Sequence, residues 1–293
     1  MGDVAQISQT ITPFLVPGVF LLLLVLESLR PLRRRKRLRG SRYVVNGALT
    51  GLGFITGIIA VRPVALKGAA WSETHSFGLL HLVGLPLWTK VTAGVILMDL
   101  TFYYWHRLNH TRPLLWRFHG IHHDDPDMDV TTSFRFHFGE VLYSTVFRIL
   151  QVGLIGILPV TYVVYEVIFN CATMFHHSNL RLPVALERLI NKIFVTPRMH
   201  GVHHSVIGRE TNSNYSVIFS CWDRLNRSLK LNISQKDIII GVPGYLLPED
   251  NRIFPLLAFP FTRQRPYWRW PSGRASVRSK SAGIPVNPRI MAD

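Results

Sequence analysis

The segment Asp99–His123 reads DLTFYYWHRLNHTRPLLWRFHGIHH and carries five of the thirteen histidines in the chain. In a helix, side chains at positions i, i+3 and i+4 lie on one face. Three groups of histidines have this spacing, namely His106 and His110; His119, His122 and His123; and His200, His203 and His204. Neutral imidazole is the commonest protein ligand for metals, and three such faces supply more nitrogen atoms than one ion requires. The spacing therefore predicts a helical site for two metal ions.

The composition of the chain is typical of a membrane protein. Of its 293 residues, 48% are hydrophobic and only 17% are charged, and the mean hydropathy is positive. The two cysteines, Cys171 and Cys221, do not form a C-x-x-C pair. The sequence therefore does not support a thiolate zinc site, a disulfide framework or an iron–sulfur cluster.

The formal net charge of +16 is concentrated in the segment Arg30–Arg42 and in the tail Arg263–Arg289. In a soluble protein this excess would indicate nucleic-acid binding. In so apolar a chain it favours anionic lipid headgroups instead. We therefore expect the membrane, and no nucleic acid, as a partner.

The first apolar run, Ile11–Leu26, is expected to span the membrane. It is a poor signal peptide because no basic region precedes it and no small-residue cleavage site follows it. The basic segment Arg30–Arg42 comes directly afterwards. Since positively charged loops stay in the cytoplasm, this loop is predicted to be cytoplasmic and the N-terminus to lie on the other side.

Two further apolar runs set the predicted orientation of the histidines. Tyr43–Val61 is long enough to cross a hydrocarbon core of about 30 Å. The connector Arg62–Gly84 is then expected outside the cytoplasm, with a short interfacial helix. Leu85–Trp105 returns the chain, so that His106 reaches the cytoplasmic face.

The last apolar run, Val141–Phe175, is interrupted at Gly156 and Pro159. A hairpin near Pro159 gives two arms of roughly seventeen residues, near the short limit for crossing a membrane. It also brings His176 and His177 back to the cytoplasmic side. The predicted divisions are membrane spans with the basic cytoplasmic loop in 1–105, a histidine-rich catalytic region in 106–261 and a basic flexible tail in 262–293.

Asp99 lies inside the third apolar run, seven residues before His106 and near the same helix face. An ionisable side chain within a membrane span is costly, so it marks a functional site by default. Two roles fit it, a hydrogen bond to another helix and a role at the metals.

Four histidine motifs follow one another along the chain: H-x3-H from His106, H-x2-H-H from His119, Phe-His-His-Ser-Asn from Phe175 and H-x2-H-H from His200. This ordered set resembles the fatty acid hydroxylase superfamily, which includes sterol desaturases, sterol methyl oxidases, carotenoid hydroxylases and the alkylglycerol monooxygenase. The block Ser133–Glu140 is similar to the family's R-x-H-P-x-E, and His137 and Glu140 are its matching polar members. The resemblance covers Leu85–Leu225, about half of the chain.

The family's closing motif is matched by Asn214-Tyr215 and by Trp222–Leu225. Three departures are present: Phe138 stands for the proline of R-x-H-P-x-E, Ser216 for a glycine, and Asn226-Arg227-Ser228 for Phe-Gly-Thr. We therefore expect the last strap of the site to be shaped differently from the family's.

The resemblance implies an all-α fold, a multi-pass membrane helical bundle with a cytoplasmic histidine-rich cap. It also implies two iron ions that use dioxygen to attack an unactivated C–H bond of a lipid, such as a sterol or a fatty acyl chain. The metal ligands expected on this basis are His106, His110, His119, His122, His123, His177, His200, His203 and His204. His137 and His176 either bind metal as well or orient a ligand ring. Asp99, Glu140 and Asp223 are the acidic residues expected to support catalysis around these ligands.

Several choices stay open at this level. Imidazole suits iron, zinc and copper, and only the resemblance favours iron. No flavin, nicotinamide or haem signature is evident, so the electrons are expected from a separate protein. Hydroxylation and desaturation begin with the same hydrogen abstraction, so the sequence does not separate them. Neither does it distinguish a bacterial inner membrane from the endoplasmic reticulum.

Two other classes of protein also use histidine-rich membrane sites. A metal transporter should place ionisable ligands at mid-span in several helices, whereas only Asp99, Arg148 and Glu166 fall within apolar runs here. A zinc hydrolase would normally show H-E-x-x-H, which is absent. The sequence favours an oxygenase over both alternatives.

Overall fold

The computed structural model describes residues 2–36 and 39–278, and the regular elements in these residues are helices. Pairing between extended segments is limited there to four isolated bridges. The α-helices are α1 (Gly2–Leu29), α2 (Arg39–Thr56), α3 (Arg62–Thr74), α4 (Leu87–Thr111), α5 (Pro113–His123), α6 (Phe138–Ile155), α7 (Pro159–His177), α8 (Val184–Ile190), α9 (Pro197–His203), α10 (Gly208–Thr211), α11 (Cys221–Leu225) and α12 (Ile253–Ala258). The prediction of an all-α fold is confirmed for these residues.

The hairpin of α6 and α7 lies where the sequence predicts it. Gly156 follows α6 in the left-handed conformation (φ 78°), and its N–H donates to the carbonyls of Val152 and Gly153. A Cβ at Gly156 would lie 2.7 Å from the carbonyl oxygen of Phe77, so the position requires glycine. Pro159 begins α7, where the missing N–H would have had no helical partner. The predicted break between two helices is present, with helices of 18 and 19 residues, and the insertion of both arms into a membrane stays a prediction.

The predicted connector Arg62–Gly84 is largely helical. A five-residue π turn, Gly57–Val61, joins α2 to α3, which continues to Thr74. Pro63 in a regular α-helix would clash with the carbonyl four residues earlier, and the wider turn before it leaves room for the ring. The short interfacial helix expected here is therefore the second half of a long, continuous helix.

Among the described residues, two helical stretches are long and apolar enough to cross a membrane, Gly40–His81 and Phe138–Ile155. Pro13–Leu29 is apolar but shorter, and neither α4 nor α7 reaches the same measure, although the sequence predicts spans in both. Large apolar side chains are exposed on the outer helices, such as Phe14 on α1 and Val146 on α6. Contiguous exposed apolar surface of this kind indicates contact with lipid or with a partner.

The helices α4 and α7 lie at the centre of the packing. α7 packs against α1, α3 and α4, while α4 also packs against α5 and α6. Met98 on α4 and Tyr165 on α7 are buried in one apolar core together with Val152 on α6. The last turn of α4 leads into α5, and α7 packs against α9. The histidines gather where these four helices meet.

Part of the basic segment is paired inside the protein. Arg42 is only 6% exposed, and its guanidinium donates to Asp125 (Nε to Oδ1, 2.6 Å) and to Asp129. Burial raises the pKa of Asp125, but the charge of Arg42 outweighs this and holds that pKa below its usual range. The expectation that Arg30–Arg42 serves lipid headgroups therefore fails for Arg42, which has partners within the protein.

The beginning of the basic tail is packed against the rest of the protein. Trp270 is buried with Val206 and Leu246, and Arg278 donates to both carboxylate oxygens of Glu210 at 2.7 and 2.9 Å. The structure thus differs from the expectation of a flexible tail from Thr262, at least as far as Arg278. The remainder of that tail, residues 279–293, lies outside the described residues.

Candidate metal centre

Nine buried histidines form two groups at the junction of α4, α5, α7 and α9. Within each group, one ring nitrogen of every member lies within 4.8 Å of those of the others. The five-histidine group consists of His106, His110, His119, His123 and His203. The four-histidine group consists of His122, His177, His200 and His204. These nine are the residues expected as metal ligands from the resemblance.

The helices α5 and α9 contribute to both groups, and they do so in opposite ways. On α5, His119 (i) and His123 (i+4) belong to the five-histidine group, and His122 (i+3) belongs to the four-histidine group. In the motif on α9 the pattern is reversed: His203 (i+3) belongs to the five-histidine group, and the other two histidines belong to the four-histidine group. Positions i+3 and i+4 differ by about 100° around a helix, so each helix faces both groups at once.

Contacts between ring nitrogens favour metal binding. His177 Nε2 lies 3.0 Å from His122 Nε2 and also 3.0 Å from His200 Nε2, which in turn lies 3.2 Å from His204 Nε2. One ring nitrogen carries a single proton or a single lone pair in the ring plane, so it cannot satisfy two such partners by hydrogen bonds. Nitrogen atoms that converge in this way are arranged as ligands around a cation are.

Two members of the five-histidine group give further support. Both ring nitrogens of His110 and both of His123 are buried and lack a hydrogen-bond partner in the part of the chain that the structure describes. Leaving a buried polar atom unsatisfied costs about 1–3 kcal/mol, and a bound cation would remove that penalty. The residues present therefore fit a metal ion in each group.

The electrostatic environment keeps the imidazoles neutral. Burial lowers the pKa of five histidines of the two groups well below its usual range, and neighbouring histidines lower it further; these residues are His122, His123, His200, His203 and His204. Only neutral imidazole has the free lone pair that binds metal. The metal-free rings are thus in the protonation state that metal binding requires.

Backbone carbonyls orient three of the rings. The Nδ1 atom of His106 donates to the carbonyl of Tyr215 at 2.7 Å, and that of His203 donates to the carbonyl of Ser213 at 2.6 Å. His177 Nδ1 donates to the carbonyl of its own helix at Thr173, 2.8 Å away. Because a carbonyl only accepts, Nδ1 carries the proton and Nε2 presents its lone pair to the group. No side-chain pattern predicts these partners, since they are main-chain atoms.

The three acidic residues expected to support catalysis hold other groups in place. Glu140 Oε1 lies 2.8 Å from His119 Nδ1 and so orients a ring of the five-histidine group. Asp223 accepts the N–H groups of Tyr215 and Ser216, both at 2.9 Å. None of the three belongs to either group of converging ligand atoms. Their observed contacts are those of positioning residues rather than of metal ligands.

Asp99 anchors the same strap that Asp223 holds. Its carboxylate accepts the N–H of Phe219 at 3.0 Å and the indole Nε1–H of Trp222 at 2.7 Å. Of the two roles open for Asp99, the contacts agree with hydrogen bonding to another segment. The strap from Ser213 to Trp222 carries carbonyls that orient the histidine rings, so Asp99 acts on the site through the strap.

His137 and His176 lie outside both groups. His137 Nδ1 accepts the N–H of Gly139 at 2.9 Å and caps the start of α6. His176 Nδ1 donates to the carbonyl of Val217 at 3.1 Å, and its ring centroid lies 4.1 Å from that of His200. These two histidines were expected either to bind metal or to orient a ligand ring. Neither of them has a nitrogen among the converging ligand atoms.

The departures from the family's closing motif are accommodated locally. Arg227 stands where the family has glycine and adopts the left-handed conformation (φ 56°) that glycine favours. Ser228 donates its hydroxyl to Asp223 at 2.6 Å and lies 2.8 Å from the hydroxyl of Tyr103. The segment that follows the strap therefore has a positive-φ turn, and Ser228 ties this turn to Asp223.

The described residues form a helical protein with two apolar helical stretches of membrane-spanning length and two buried histidine groups, each of which could hold a metal ion. Residues 91–228, which contain all nine histidines of the two groups, match the family model described as fatty acid hydroxylase. The part of the chain that carries both histidine groups is thus similar to the fatty acid hydroxylase superfamily.

Curated relatives agree with this assignment. The chain is 27% identical to the ornithine lipid hydroxylase OlsE of Rhizobium tropici, over 61% of this chain and 52% of that protein. It is 27% identical to cholesterol 25-hydroxylase of Rattus norvegicus over 65% and 63%, and 26% identical to alkylglycerol monooxygenase of Danio rerio over 98% and 62%. The chain thus spans between half and two thirds of the length of these relatives. No solved structure matches it.

Proposed function

We propose that the protein is a membrane-bound oxidoreductase that hydroxylates or desaturates a lipid with two iron ions, dioxygen and electrons from a separate donor protein. The observation that carries this proposal is the pair of adjoining histidine groups with converging ring nitrogens. A pair of redox metals held by imidazole supplies, when bound, the dioxygen activation that attack on an unactivated C–H bond requires. Similarity to a superfamily whose named relatives are hydroxylases and monooxygenases supports the same reaction class.

Each group would hold one ion. His106, His110, His119, His123 and His203 would bind the first, and His122, His177, His200 and His204 the second. An all-imidazole donor set suits iron but also zinc, so the choice of iron rests on the family. The shared helices α5 and α9 would hold the two groups, and any ions bound in them, next to each other.

The chain's own residues prepare the site before any ion arrives. Carbonyl acceptors keep the proton of His106 and His203 on Nδ1, and Glu140 holds the ring of His119. Asp99 and Asp223 bind the strap that presents the carbonyl acceptors. Full burial of the nine rings keeps bulk water away from the reacting centre.

The substrate is proposed to be a lipid. The relatives are named for ornithine lipid, cholesterol and alkylglycerol, which differ widely in headgroup but are all lipids. A groove of about 540 Å³ runs beside α4 and is lined mainly by Tyr104, Trp105, Leu108 and Phe147. It offers an apolar chain or ring a place against the helix that carries His106.

We also propose that the bundle passes the membrane several times and places both histidine groups on the cytoplasmic side, where the electron donor would dock. The basic segment Arg30–Arg42 supports this orientation. Single cysteines at Thr74 and Arg209, in a chain whose Cys171 and Cys221 are serine, provide the test. A membrane-impermeant thiol reagent applied outside should label position 74 and leave position 209 unlabelled, and the opposite pattern would reverse the orientation.

The reaction is tested by comparing lipid extracts of membranes that contain the protein with membranes that contain His203→Ala. Under oxygen-18 gas and with added reductant, mass spectrometry should find a lipid that is hydroxylated with the label or has gained a double bond, only with the unsubstituted protein. Anaerobic turnover with label from water would instead indicate a zinc hydrolase. Metal uptake into sealed vesicles without lipid oxidation would indicate a transporter.

A further inference from the structure

The basic segment that follows α1 lines a small cavity that contains none of the histidines. Four consecutive cationic side chains, Arg33, Arg34, Arg35 and Lys36, form one wall. The rest of the lining includes Asp127 and apolar residues such as Ile238. The free space is about 20 Å³, which is enough for one water-sized group, since a single water needs about 10–15 Å³.

Several cationic N–H groups at this cavity are buried without a partner. They are Nη2 of Arg33, Nε and Nη1 of Arg35, and Nζ of Lys36, for which the described residues supply no acceptor. Arg33 has one side-chain acceptor, Gln235 Oε1 at 2.7 Å, and Arg35 has one, Glu27 Oε1 at 3.2 Å. A buried charged donor left unsatisfied is more costly than a neutral one, so the site favours an acceptor that carries negative charge.

The charge balance of the cavity points the same way. Among the described residues of the lining, Asp127 is the only carboxylate, and its two oxygens accept the backbone N–H of Lys36 at 2.8 and 2.9 Å. Burial lowers the pKa of Arg33 to about 10, so this guanidinium is still charged at neutral pH. Four cations against one carboxylate leave the lining with excess positive charge.

We infer that this cavity is a binding site for a phosphate oxyanion, with one oxygen inside the cavity and the others at its mouth. Phosphate oxygens are strong acceptors that pair with guanidinium and ammonium groups through short, charge-assisted hydrogen bonds. The ligand is either a phospholipid headgroup or a free phosphate. The site lies directly after the apolar helix α1, where a headgroup is at hand. It does not depend on the metal chemistry of the histidine groups.

The test uses the full chain and the substitution Lys36→Met. Since Nζ of Lys36 is buried and has no partner within the described residues, removing it should not lower the unfolding temperature in the absence of anions. The backbone N–H that binds Asp127 is retained. The matched control is Arg181→Met, which removes an exposed charge on the neighbouring segment.

Two probes distinguish the sources of phosphate. Inorganic phosphate is titrated against the purified protein in detergent at constant ionic strength with chloride, and phosphatidic acid is titrated in phosphatidylcholine nanodiscs. We expect a rise in unfolding temperature with at least one probe and about tenfold weaker binding in Lys36→Met, as the loss of one charge-assisted hydrogen bond predicts. Protection by phosphatidic acid alone assigns the site to a headgroup, and protection by inorganic phosphate assigns it to the free anion as well.

Two results would overturn the inference. One is the absence of protection by either probe. The other is an equal loss of affinity in Lys36→Met and in Arg181→Met, because this would mean that surface charge, rather than the cavity, attracts the anion.

Discussion

The two histidine groups differ in how their rings are held. In the five-histidine group, His106, His119 and His203 are each tied through Nδ1 to an acceptor of the protein. In the four-histidine group only His177 is tied in this way. The other three members, His122, His200 and His204, have Nδ1 atoms without a hydrogen-bond partner in the described ranges.

Ring stacking takes the place of these hydrogen bonds in the four-histidine group. His122 stacks on Phe136, with 4.5 Å between centroids and 10° between planes, and His204 stacks on His123 at 4.2 Å and 15°. A hydrogen bond fixes both the tautomer and the direction of the lone pair, whereas stacking fixes only the plane of the ring. We therefore expect the five-histidine group to hold its ion more tightly and the four-histidine group to release its ion first.

Removal of one ligand from each group should have the largest effect. His122→Ala leaves three ligands in the four-histidine group and should lower the metal content from about two ions per chain to about one. His203→Ala leaves four ligands in its group and should retain more metal than His122→Ala. Elemental analysis of the purified variants measures this, with the exposed His75→Ala as control. Greater metal loss from His203→Ala would reverse the comparison.

The contact between Glu140 and His119 tests the five-histidine group alone. Glu140→Ala should weaken metal binding in that group by about 10- to 100-fold, which is typical when a carboxylate behind a histidine ligand is removed. The metal affinity of Glu140→Gln, which keeps an acceptor oxygen, should lie between that of Glu140→Ala and that of the unsubstituted protein. Competition with a chelator should show two phases of release, of which only the slower changes. If the faster phase changes, or if exposed Glu249→Ala acts equally, the assignment of Glu140 is wrong.

The stacking of Phe136 on His122 tests the four-histidine group. Phe136→Leu keeps an apolar side chain but removes the ring, and should speed metal release from this group by about two- to tenfold. The matched control is Phe147→Leu, which removes a stacked pair with Trp105, and neither of these residues belongs to a histidine group. Metal release is measured by rapid mixing with a chelator. A fast phase that is unchanged in both variants would mean that stacking has no role.

The smallest effect is expected from the two histidines outside the groups. His137→Asn and His176→Asn should each keep the full metal content, since neither ring nitrogen reaches the converging atoms. Stability is a separate matter, because His137 caps α6. Elemental analysis of the folded fraction provides the measurement, and loss of an ion from either variant would make that histidine a ligand.

The sequence predicted the members of the site well because the signal is local. A spacing of three or four residues is enough to place histidines on one helix face, and eight of the nine converging histidines have this spacing. The ninth, His177, was expected only from the resemblance. The turn near Pro159 could be predicted from the sequence as well, because Gly156 is typical of a helix end and Pro159 of a helix start.

The division of the nine residues into two groups could not be read from the sequence. The motifs on α5 and α9 are identical in spacing but are used in opposite ways, because the helices approach the centre from different directions. The carbonyl partners at Ser213 and Tyr215 are main-chain atoms and leave no pattern among the side chains. The π turn before Pro63 could not be predicted either, because proline normally indicates a helix boundary.

The metal content of the unsubstituted protein tests the central claim most directly. Protein purified from cells supplied with iron, without added chelator, should contain about two iron ions per chain by elemental analysis. Graded chelation should remove one ion before the other, leaving a stable species with about one ion. A content of one ion or fewer in folded protein, or the loss of both ions in a single phase, would contradict the account of two unequal metal sites.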